Sequence, residues 1–237
     1  MTKPLEGQLA LVTGASRGIG AATAEALAAS GAHVVLTART VAGLEAVEER
    51  IHEAGGSATI APLDLADPDG ISRLAEAISG RWNALDVLVL NAATLGTLTP
   101  VPHIDAKEFL RVVTLNLTAQ ATIISAFDSM LRAAESARVI GLTSSVGASP
   151  RAYWGAYGAS KAGFETLLGS FAEETRNIGR IKVAIVDPGA TRTAMRARAY
   201  PGEDPADVKA PETVAARIVT LVTEGFDTGY RERVNQH

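Results

Sequence analysis

Short apolar segments alternate with longer, alanine-rich segments along most of this chain. Two of the short ones, LDVLVLN at 85–91 and IKVAIVD at 181–187, are apolar at nearly every position. Such runs are typical of strands that helices cover on both faces, and their alternation with helix-period segments indicates βαβ units. The chain is therefore predicted to form an α/β fold, a doubly wound parallel sheet with helices on both faces.

The predicted elements follow this alternation. Strands are expected at Leu9–Thr13, His33–Ala38, Ala58–Leu63, Leu85–Asn91, Arg138–Thr143 and Lys182–Asp187. Helices are expected at Gly18–Ser30, Val41–Glu53, Pro68–Ser79, Asp105–Ala133, Ala156–Asn177 and Pro211–Thr223. A seventh strand near the carboxyl end is expected to be short if it forms.

The composition is that of one globular domain over residues 1–237, and it disfavours several classes of protein. With 47% hydrophobic residues, 20% charged residues and a formal net charge of −4, the chain lacks the basic character of a nucleic-acid-binding protein. It has no cysteine, which excludes disulfides and favours the cytoplasm. It shows neither a signal-peptide core nor an uninterrupted apolar run of about eighteen residues, so no membrane association is expected. The histidines at 33, 52, 103 and 237 lack metal-ligand spacing, and no metal is predicted.

In a doubly wound sheet, ligands bind at the carboxyl ends of the strands, near the point where strand order reverses. Glycines and polar residues collect at these predicted ends. They are Gly14, Arg39, Asp64, Asn91, the pair Ser144 and Ser145, and the pair Pro188 and Gly189. The sequence therefore predicts a ligand crevice along this edge of the sheet.

The segment TGASRGIG at 13–20 joins the first strand to the first helix. Its glycines permit a tight turn and the close approach of a pyrophosphate, which backbone N–H groups at the helix start would bind. Arg39 follows the second strand, where a fold that binds NAD offers a carboxylate to the ribose. Because Arg39, together with Arg17, can bind a 2′-phosphate, we predict NADP(H) in preference to NAD(H). Asp64 is compatible with two roles, accepting from the adenine amino group or capping the helix near Pro68.

Tyr157 and Lys161, in GAYGASKAG at 155–163, lie four residues apart on a predicted helix and so share one face. A phenol titrates at ~10, too high for a good base at neutral pH, but a neighbouring ammonium group lowers its pKa. The pair is therefore predicted to serve general acid–base catalysis.

Several ordered motifs together resemble the short-chain dehydrogenase/reductase family, in its compact single-domain branch. They are TGASRGIG, DLAD at 64–67, LNAA at 90–93, Asn116 in TLNLT, SSVG at 144–147, YGASK at 157–161 and DPGATRT at 187–193. The likeness extends from Leu9 to about Val222. It implies a Rossmann-like fold and an NAD(P)-dependent enzyme that interconverts carbonyl and alcohol groups.

The resemblance assigns a role to each matching residue. Tyr157 would give a proton to the substrate carbonyl oxygen, and Lys161 would hold the nicotinamide ribose and lower the Tyr157 pKa. Ser145 would hydrogen-bond the substrate oxygen, with Ser144 as the alternative. Asn116 would bend its helix and hold a water that links Lys161 to solvent. The expected cofactor-binding residues are Gly14, Ser16, Arg17, Gly18, Ile19, Gly20, Arg39, Asp64, Leu65, Asn91, Ala92, Ala93, Tyr157, Lys161, Pro188, Gly189, Thr191 and Thr193.

Two departures from the family pattern are visible. Leu90 and Ala93 stand where an asparagine and a glycine are usual, which removes an amide and adds a Cβ near the cofactor. The segment TEGFDTGYRERVNQH lacks the apolar last strand and the Asp-Gly-Gly ending that many relatives use at a tetramer interface.

Two further segments carry expectations about partners. Residues 194–211 are predicted to form a substrate lid, whose arginines Arg196 and Arg198 either favour an anionic substrate or are simply solvated. The helix at 105–133 is apolar around much of its circumference, which favours a homodimer through this helix and the helix of Tyr157, with a tetramer as the alternative.

The leading hypothesis is an NADP(H)-dependent oxidoreductase that reduces a small-molecule ketone, aldehyde or 3-oxoacyl group, with Tyr157 as general acid/base. The alternative is a catalytically idle NADP-binding sensor or partner protein on the same fold. Loss of Tyr157 or Lys161 would favour that alternative, and both residues are present.

Overall fold

Seven strands form one sheet in the computed structural model, which describes residues 3–235. They are β1 (Leu9–Thr13), β2 (His33–Ala38), β3 (Ser57–Pro62), β4 (Val87–Leu90), β5 (Ala137–Leu142), β6 (Ile181–Asp187) and β7 (Tyr230–Arg233). Their order is β3-β2-β1-β4-β5-β6-β7, and all neighbours run parallel. The predicted doubly wound, Rossmann-like α/β fold is confirmed, and the seventh strand is short.

Helices connect the strands close to the predicted positions. They are α1 (Gly18–Ala29), α2 (Val41–Glu53), α3 (Pro68–Ser79), α4 (Ala106–Val113), α5 (Ala119–Ala133), α6 (Ser145–Ala148), α7 (Gly155–Thr175), α8 (Ala194–Ala199) and α9 (Pro211–Glu224). The long helix predicted at 105–133 is continuous but changes its winding, because a π-helical segment, Thr114–Thr118, joins α4 to α5.

The sheet is the central layer, as the apolar runs predict. All five residues of β1 are buried. Alternate residues of this strand face different layers, because successive side chains of a strand point to opposite faces. Ala10 and Val12 pack in a core with α1, α2 and α9, whereas Leu9 and Leu11 pack in a second core with α3, α5 and α7.

One glycine lets α7 lie directly against β5. A Cβ at Gly141 would come within 2.1 Å of the Leu168 side chain and 3.1 Å of the Phe164 ring. Since no side chain separates the two elements at this point, the first turns of α7 are carried to the carboxyl end of β5. Tyr157 and Lys161 both lie in those turns.

Strand order reverses between β1 and β4, which are neighbours in the sheet although β2 and β3 lie between them in sequence. Connections from these two strands lead to opposite halves of the sheet, so a crevice opens between their carboxyl ends. The predicted crevice therefore falls beside Gly14 and Asn91.

The segment 194–211 is more ordered than its loop-like composition predicts. It contains α8 and a 3₁₀ turn, Pro205–Asp207. Its two ends are joined by a bridge between Thr191 and Lys209, and the N–H of Arg192 donates to the Lys209 carbonyl over 2.8 Å.

Among residues 3–235, the continuous helix Ala106–Ala133 is the one whose length and composition would allow a membrane span. Core helices satisfy the same criteria. The inner face of this one, with Ile123, Phe127 and Leu131, is buried in the second core beneath the sheet.

Candidate active site

The turn after β1 has a backbone that only glycine accommodates. Gly14 and Gly18 adopt φ angles of 65° and 58°, in the left-handed region that other residues rarely occupy. A Cβ at Gly20 would lie 2.3 Å from the Gly14 carbonyl oxygen. The helix α1 then begins without a side-chain cap, since Arg17 makes no capping hydrogen bond. The turn is thus a bare backbone cradle at a helix N-terminus, as the TGASRGIG motif predicts.

Thr13 and Asn91 tie β1 to β4 at the reversal point. The Thr13 hydroxyl is buried, donates to the Val89 carbonyl over 3.2 Å, and accepts from the N–H groups of Asn91 and Ala92 over 2.9 and 3.0 Å. The Asn91 side-chain amide donates to the carbonyls of Thr13 and Gly14 over 2.9 and 3.3 Å. Thr13 is not among the predicted site residues. The feature of the sequence that could have identified it is a polar side chain at the end of an otherwise apolar strand.

The other residues predicted around this turn lie at the same edge of the sheet. Half-buried positions there are Ser16, Ile19, Ala92 and Ala93. The side chains of Arg17 and Arg39 are exposed, and neither forms an ion pair within the part of the chain that the structure describes.

Asp64 does not cap the helix that follows it. Its carboxylate accepts from the N–H of Ala66 over 3.0 Å, whereas the N-cap of α3 is Asp67, which accepts from the N–H of Asp69. The capping role considered for Asp64 is therefore wrong, because the helix begins one residue after Asp67. Asp64 itself is exposed, and the side chain of Leu65 is buried in the core.

The two departures from the family pattern differ in their surroundings. Leu90 is only 1% exposed and belongs to the core under β4, so its side chain points away from the crevice. Ala93 is half-buried in the segment after β4, at the crevice edge. In place of the asparagine amide that is usual at position 90, this chain thus has a Leu90 side chain that packs in the core.

Tyr157 and Lys161 lie on the same side of α7, as their spacing predicts. The Lys161 ammonium is 5.8 Å from the centre of the Tyr157 ring and donates to the Leu142 carbonyl at the end of β5 over 2.7 Å. Both side chains are buried, with relative exposures of 7% for Tyr157 and 3% for Lys161. The pair therefore sits inside the carboxyl edge of the sheet rather than on its surface.

Burial moves the pKa values of these two groups in opposite directions. It raises the pKa of the Tyr157 phenol above its ordinary value, and the nearby Asp187 carboxylate adds to the rise, against a hydrogen bond with Ser144 that lowers it. Burial lowers the pKa of Lys161 to about 8, although Glu165 opposes this. The expected lowering of the Tyr157 pKa is thus wrong for the protein alone, since desolvation disfavours both charged forms.

Glu165 lies one turn beyond Lys161 and holds three elements together. Its side chain is 14% exposed and accepts from the Thr143 hydroxyl over 2.5 Å and from Arg231 of β7 over 2.8 Å. Thr143 directly precedes Ser144. This carboxylate therefore fixes the strand end that carries Ser144 relative to α7.

Ser144, and not Ser145, faces the phenol. Ser144 hydrogen-bonds the Tyr157 side chain, whereas the Ser145 hydroxyl accepts from Arg151 over 3.1 Å. The two serines diverge because the chain turns from extended backbone at Ser144 into the short helix α6. The geometry favours Ser144, the alternative considered in the sequence, over Ser145.

Asn116 lies in the π-helical segment and is 1% exposed. Its side-chain oxygen accepts from the N–H of Thr94 over 2.8 Å, and its amide nitrogen donates to the Thr94 carbonyl and to the Ser160 hydroxyl over 2.9 and 3.0 Å. Ser160 in turn donates to the Tyr157 carbonyl over 2.7 Å. Asn116 therefore links the segment after β4 to the helix that carries Tyr157.

The segment after β6 closes the crevice from the other side. Pro188 and Gly189 form a turn in which the Thr191 hydroxyl donates to the Pro188 carbonyl over 3.1 Å. Thr193 caps α8 by accepting from the N–H of Arg196 over 3.1 Å. Its methyl group would lie 3.3 Å from a Cβ at Gly18, so this segment reaches the glycine turn.

Apolar and aromatic side chains surround the Tyr157 ring. The cluster comprises Leu95, Val146 and Tyr157, with Leu98, Trp154, Met195 and Ala199 packed against it. The arginines of segment 194–211 are engaged elsewhere, since Arg196 pairs with Glu203 and stacks 3.6 Å from the centre of the Tyr200 ring, and Arg198 donates to the Gly96 carbonyl over 2.5 Å. The side chains that this segment packs against the Tyr157 cluster, Met195 and Ala199, are apolar.

No group of three or more His, Cys, Asp or Glu side chains within residues 3–235 is arranged to hold a metal ion. His237 lies outside the described residues.

Comparison with known proteins places these features in a family. A family model described as short chain dehydrogenase matches residues 8–204. The chain is 34% identical over 221 residues to the uncharacterized oxidoreductase YciK of Escherichia coli K12, covering 92% of this chain and 87% of that protein. It is 35% identical over 210 residues to the cis-4-hydroxycyclohexanecarboxylate dehydrogenase of Sinomonas cyclohexanicum, covering 89% and 81%. A short-chain dehydrogenase from Escherichia coli CFT073, crystallised with NADPH, matches with a TM-score of 0.93 at 33% identity over 99% of both chains.

The chain therefore belongs to the short-chain dehydrogenase family, and the resemblance seen in its motifs is confirmed. It is an NAD(P)-dependent oxidoreductase.

Lys161→Met is expected to change how stability depends on pH. The folded-state pKa of about 8 lies below the ordinary 10.5, so the unfolded chain binds more protons between these values and wild-type stability rises with pH across that window. The free-energy cost of burying the charged Lys161, on the order of 3 kcal/mol, is fully present below pH 8. Methionine removes it, so the free energy of unfolding of Lys161→Met, relative to wild type, should fall as pH rises from 7 to 10.

Urea unfolding at each pH measures this difference, and Lys107→Met, at an exposed position, is the matched control with a constant difference. Parallel pH profiles for Lys161→Met and wild type would show that burial does not depress this amine.

Proposed function

We propose that this protein is an NADP(H)-dependent reductase that converts a carbonyl group of a small molecule to an alcohol, reversibly, with Tyr157 as the general acid/base. The observation that carries the proposal is the burial of Tyr157 and Lys161 side by side at the carboxyl end of β5, with Ser144 on the phenol. This is the arrangement required of a positioned proton donor next to a ligand crevice.

The glycine turn supports a dinucleotide cofactor. Gly14 and Gly18 give the turn a left-handed backbone, and α1 has no side-chain cap competing for its first N–H groups. The residues that we assign to the cofactor are Gly14, Ser16, Arg17, Gly18, Ile19, Gly20, Arg39, Asp64, Leu65, Asn91, Ala92, Ala93, Tyr157, Lys161, Pro188, Gly189, Thr191 and Thr193.

The preference for NADP(H) rests on charge. Arg39 and Arg17 are exposed at the ends of β2 and of the glycine turn, without carboxylate partners among residues 3–235, and a guanidinium binds a phosphate through paired charge-assisted hydrogen bonds. That a similar protein was crystallised with NADPH supports the same preference.

A bound nicotinamide supplies the hydride, and the chain supplies the proton. The Tyr157 hydroxyl gives its proton to the substrate oxygen, which Ser144 also holds. Burial raises the pKa of the phenol, so Tyr157 carries the proton that reduction of a carbonyl needs. Lys161 holds the nicotinamide ribose, and Asn116 positions the Tyr157 helix through Ser160.

The substrate binds against Leu95, Val146 and Trp154, beneath a lid formed by residues 194–211. The classes we propose are ketones, aldehydes and 3-oxoacyl groups. The proposed location is the cytoplasm, and neither nucleic acid nor a membrane belongs to the proposal.

Tyr157→Phe is expected to lower kcat for NADPH-dependent ketone reduction by about 10²- to 10⁴-fold, the usual contribution of a positioned general acid. NADPH affinity, measured by fluorescence titration, should change little because the ring remains. Tyr153→Phe, which removes an exposed hydroxyl (58% residue exposure), is the control and should retain activity. Full activity in Tyr157→Phe would refute the mechanism. NADPH binding by the wild type without reduction of any carbonyl would instead favour the idle NADP-binding protein.

Arg39→Ala should weaken NADPH binding by about 10- to 100-fold, the loss expected for a charged hydrogen-bonding partner, and leave NADH binding nearly unchanged. Arg132→Ala removes the same charge on α5, where Arg132 pairs with Asp128, and should affect neither cofactor. Equal effects of Arg39→Ala on both cofactors, in fluorescence titrations at constant ionic strength, would contradict a 2′-phosphate site.

We also propose that two copies associate through the outer face of the helix at 106–133 and through α7. Phe109 and Leu110 on that face are 38% and 66% exposed, and an apolar helix face of this kind is stabilised by covering it. A tetramer is the alternative.

Leu110→Glu is expected to convert the dimer to a monomer in sedimentation at micromolar concentration, because it places a charge in the apolar contact. The control Val41→Glu, at an exposed apolar position (45%) on α2, away from the proposed contact, should remain dimeric. A wild type that sediments only as a monomer would rule out this assembly.

A further inference from the structure

Arg151 stands at the mouth of the proposed substrate site, in the segment between α6 and α7. One of its terminal nitrogens donates to the Ser145 hydroxyl over 3.1 Å, and the other donates to the Tyr200 hydroxyl over 3.3 Å. Ser145 adjoins Ser144, and Tyr200 directly follows α8 in the lid. Arg151 thus spans from the reacting centre to the lid.

This arginine has no carboxylate partner among residues 3–235, unlike its neighbour in the lid. Arg196 pairs with Glu203, and Arg198 donates to a backbone carbonyl. A neutral hydroxyl is a weaker acceptor for a guanidinium than a carboxylate, which accepts two parallel N–H groups from the same fork. Both terminal nitrogens of Arg151 therefore donate to hydroxyl groups, which are weaker acceptors than a carboxylate.

Aromatic side chains connect the phenol to Tyr200, the residue whose hydroxyl accepts from Arg151. The Trp154 ring centre is 5.9 Å from that of Tyr157 and 5.8 Å from that of Tyr200. Val146 and Met195 complete this surface. A ligand whose carbonyl oxygen reached Tyr157 would thus have Trp154 beside its body and Arg151 at the Tyr200 end of this surface.

We propose that the substrate is an oxo acid, whose carboxylate is bound by Arg151 and whose apolar body lies on Trp154. This inference rests on the proposed function and names its substrate class. On binding, the carboxylate replaces the hydroxyls of Ser145 and Tyr200 as the acceptor of the Arg151 donors. The anionic preference thereby comes from Arg151 and not from Arg196 or Arg198, which are already engaged.

The test compares an oxo acid with its neutral counterpart. NADPH-dependent reduction of 4-oxocyclohexanecarboxylate and of its methyl ester is measured in wild type, Arg151→Gln and Arg151→Lys. The ratio of kcat/KM for acid over ester should fall about 10- to 100-fold in Arg151→Gln, the loss expected for a charged hydrogen-bonded pair, and be partly restored in Arg151→Lys. Arg180→Gln, at an exposed position next to the amino end of β6, is the control and should leave the ratio unchanged.

If Arg151 served only to hold Tyr200 in place, Arg151→Gln would lower the activities on the acid and on the ester together. The ratio of kcat/KM for acid over ester would then stay unchanged, and that result would overturn the inference. A wild type that reduces neutral ketones and rejects the acid would overturn it as well, while the proposed function stood.

A second measurement does not depend on turnover. Trp82 and Trp154 are the two tryptophans, so in a Trp82→Phe background the emission of Trp154 reports on its own surface. With NADP⁺ present, cyclohexanecarboxylate should change this emission saturably, cyclohexanecarboxamide should bind at least tenfold more weakly, and Arg151→Gln should abolish the difference. Equal binding of acid and amide would refute the carboxylate site. Selective binding of the acid without reduction of any carbonyl would refute the reaction and leave the carboxylate site in place.

Discussion

The hydrogen bonds that join Thr13 and Asn91 hold the carboxyl ends of β1 and β4 at the one place where the sheet reverses its order. Helices leave the two strands towards opposite halves of the molecule, and the crevice exists only while those ends stay in register. The same contacts restrict the glycine turn, because the Asn91 amide occupies the space that a Cβ at Gly20 would need. The glycine turn and the junction of β1 with β4 therefore depend on each other, and a side chain added to either disturbs both.

Burial of two titratable side chains follows from the packing of α7 on β5. Gly141 allows that close approach, and it brings Tyr157 and Lys161 below the rim of the sheet. Removing both groups from water costs free energy for whichever form is charged, so burial raises the pKa of the phenol and lowers that of the amine to about 8. A protonated phenol is what reduction of a carbonyl requires. Desolvation of Tyr157 itself, together with the nearby Asp187 carboxylate, thus favours the protonated phenol that the proposed reaction uses.

The rim of the site has a different character from its floor. In the segment 194–211, Arg196 pairs with Glu203, and the side chains packed against the Tyr157 cluster are apolar. Arg151 alone among the arginines described around the phenol presents two donors to hydroxyl groups. Trp154 would bind the body of the substrate by burial of apolar surface. Arg151 would bind its anionic end by charge-assisted hydrogen bonds.

The sequence by itself determined the layers, the positions of the strands, the glycine cradle and the shared face of Tyr157 and Lys161, because these depend on local periodicity and on steric limits within a few residues. It could not decide between Ser144 and Ser145, since adjacent residues at a strand end diverge according to where the next helix begins. Neither the raised pKa of Tyr157 nor the role of Thr13 nor the position of Arg151 could be read from spacing. Each depends on elements far apart in the chain, and desolvation and long-range hydrogen bonds are fixed only when tertiary packing brings those elements together.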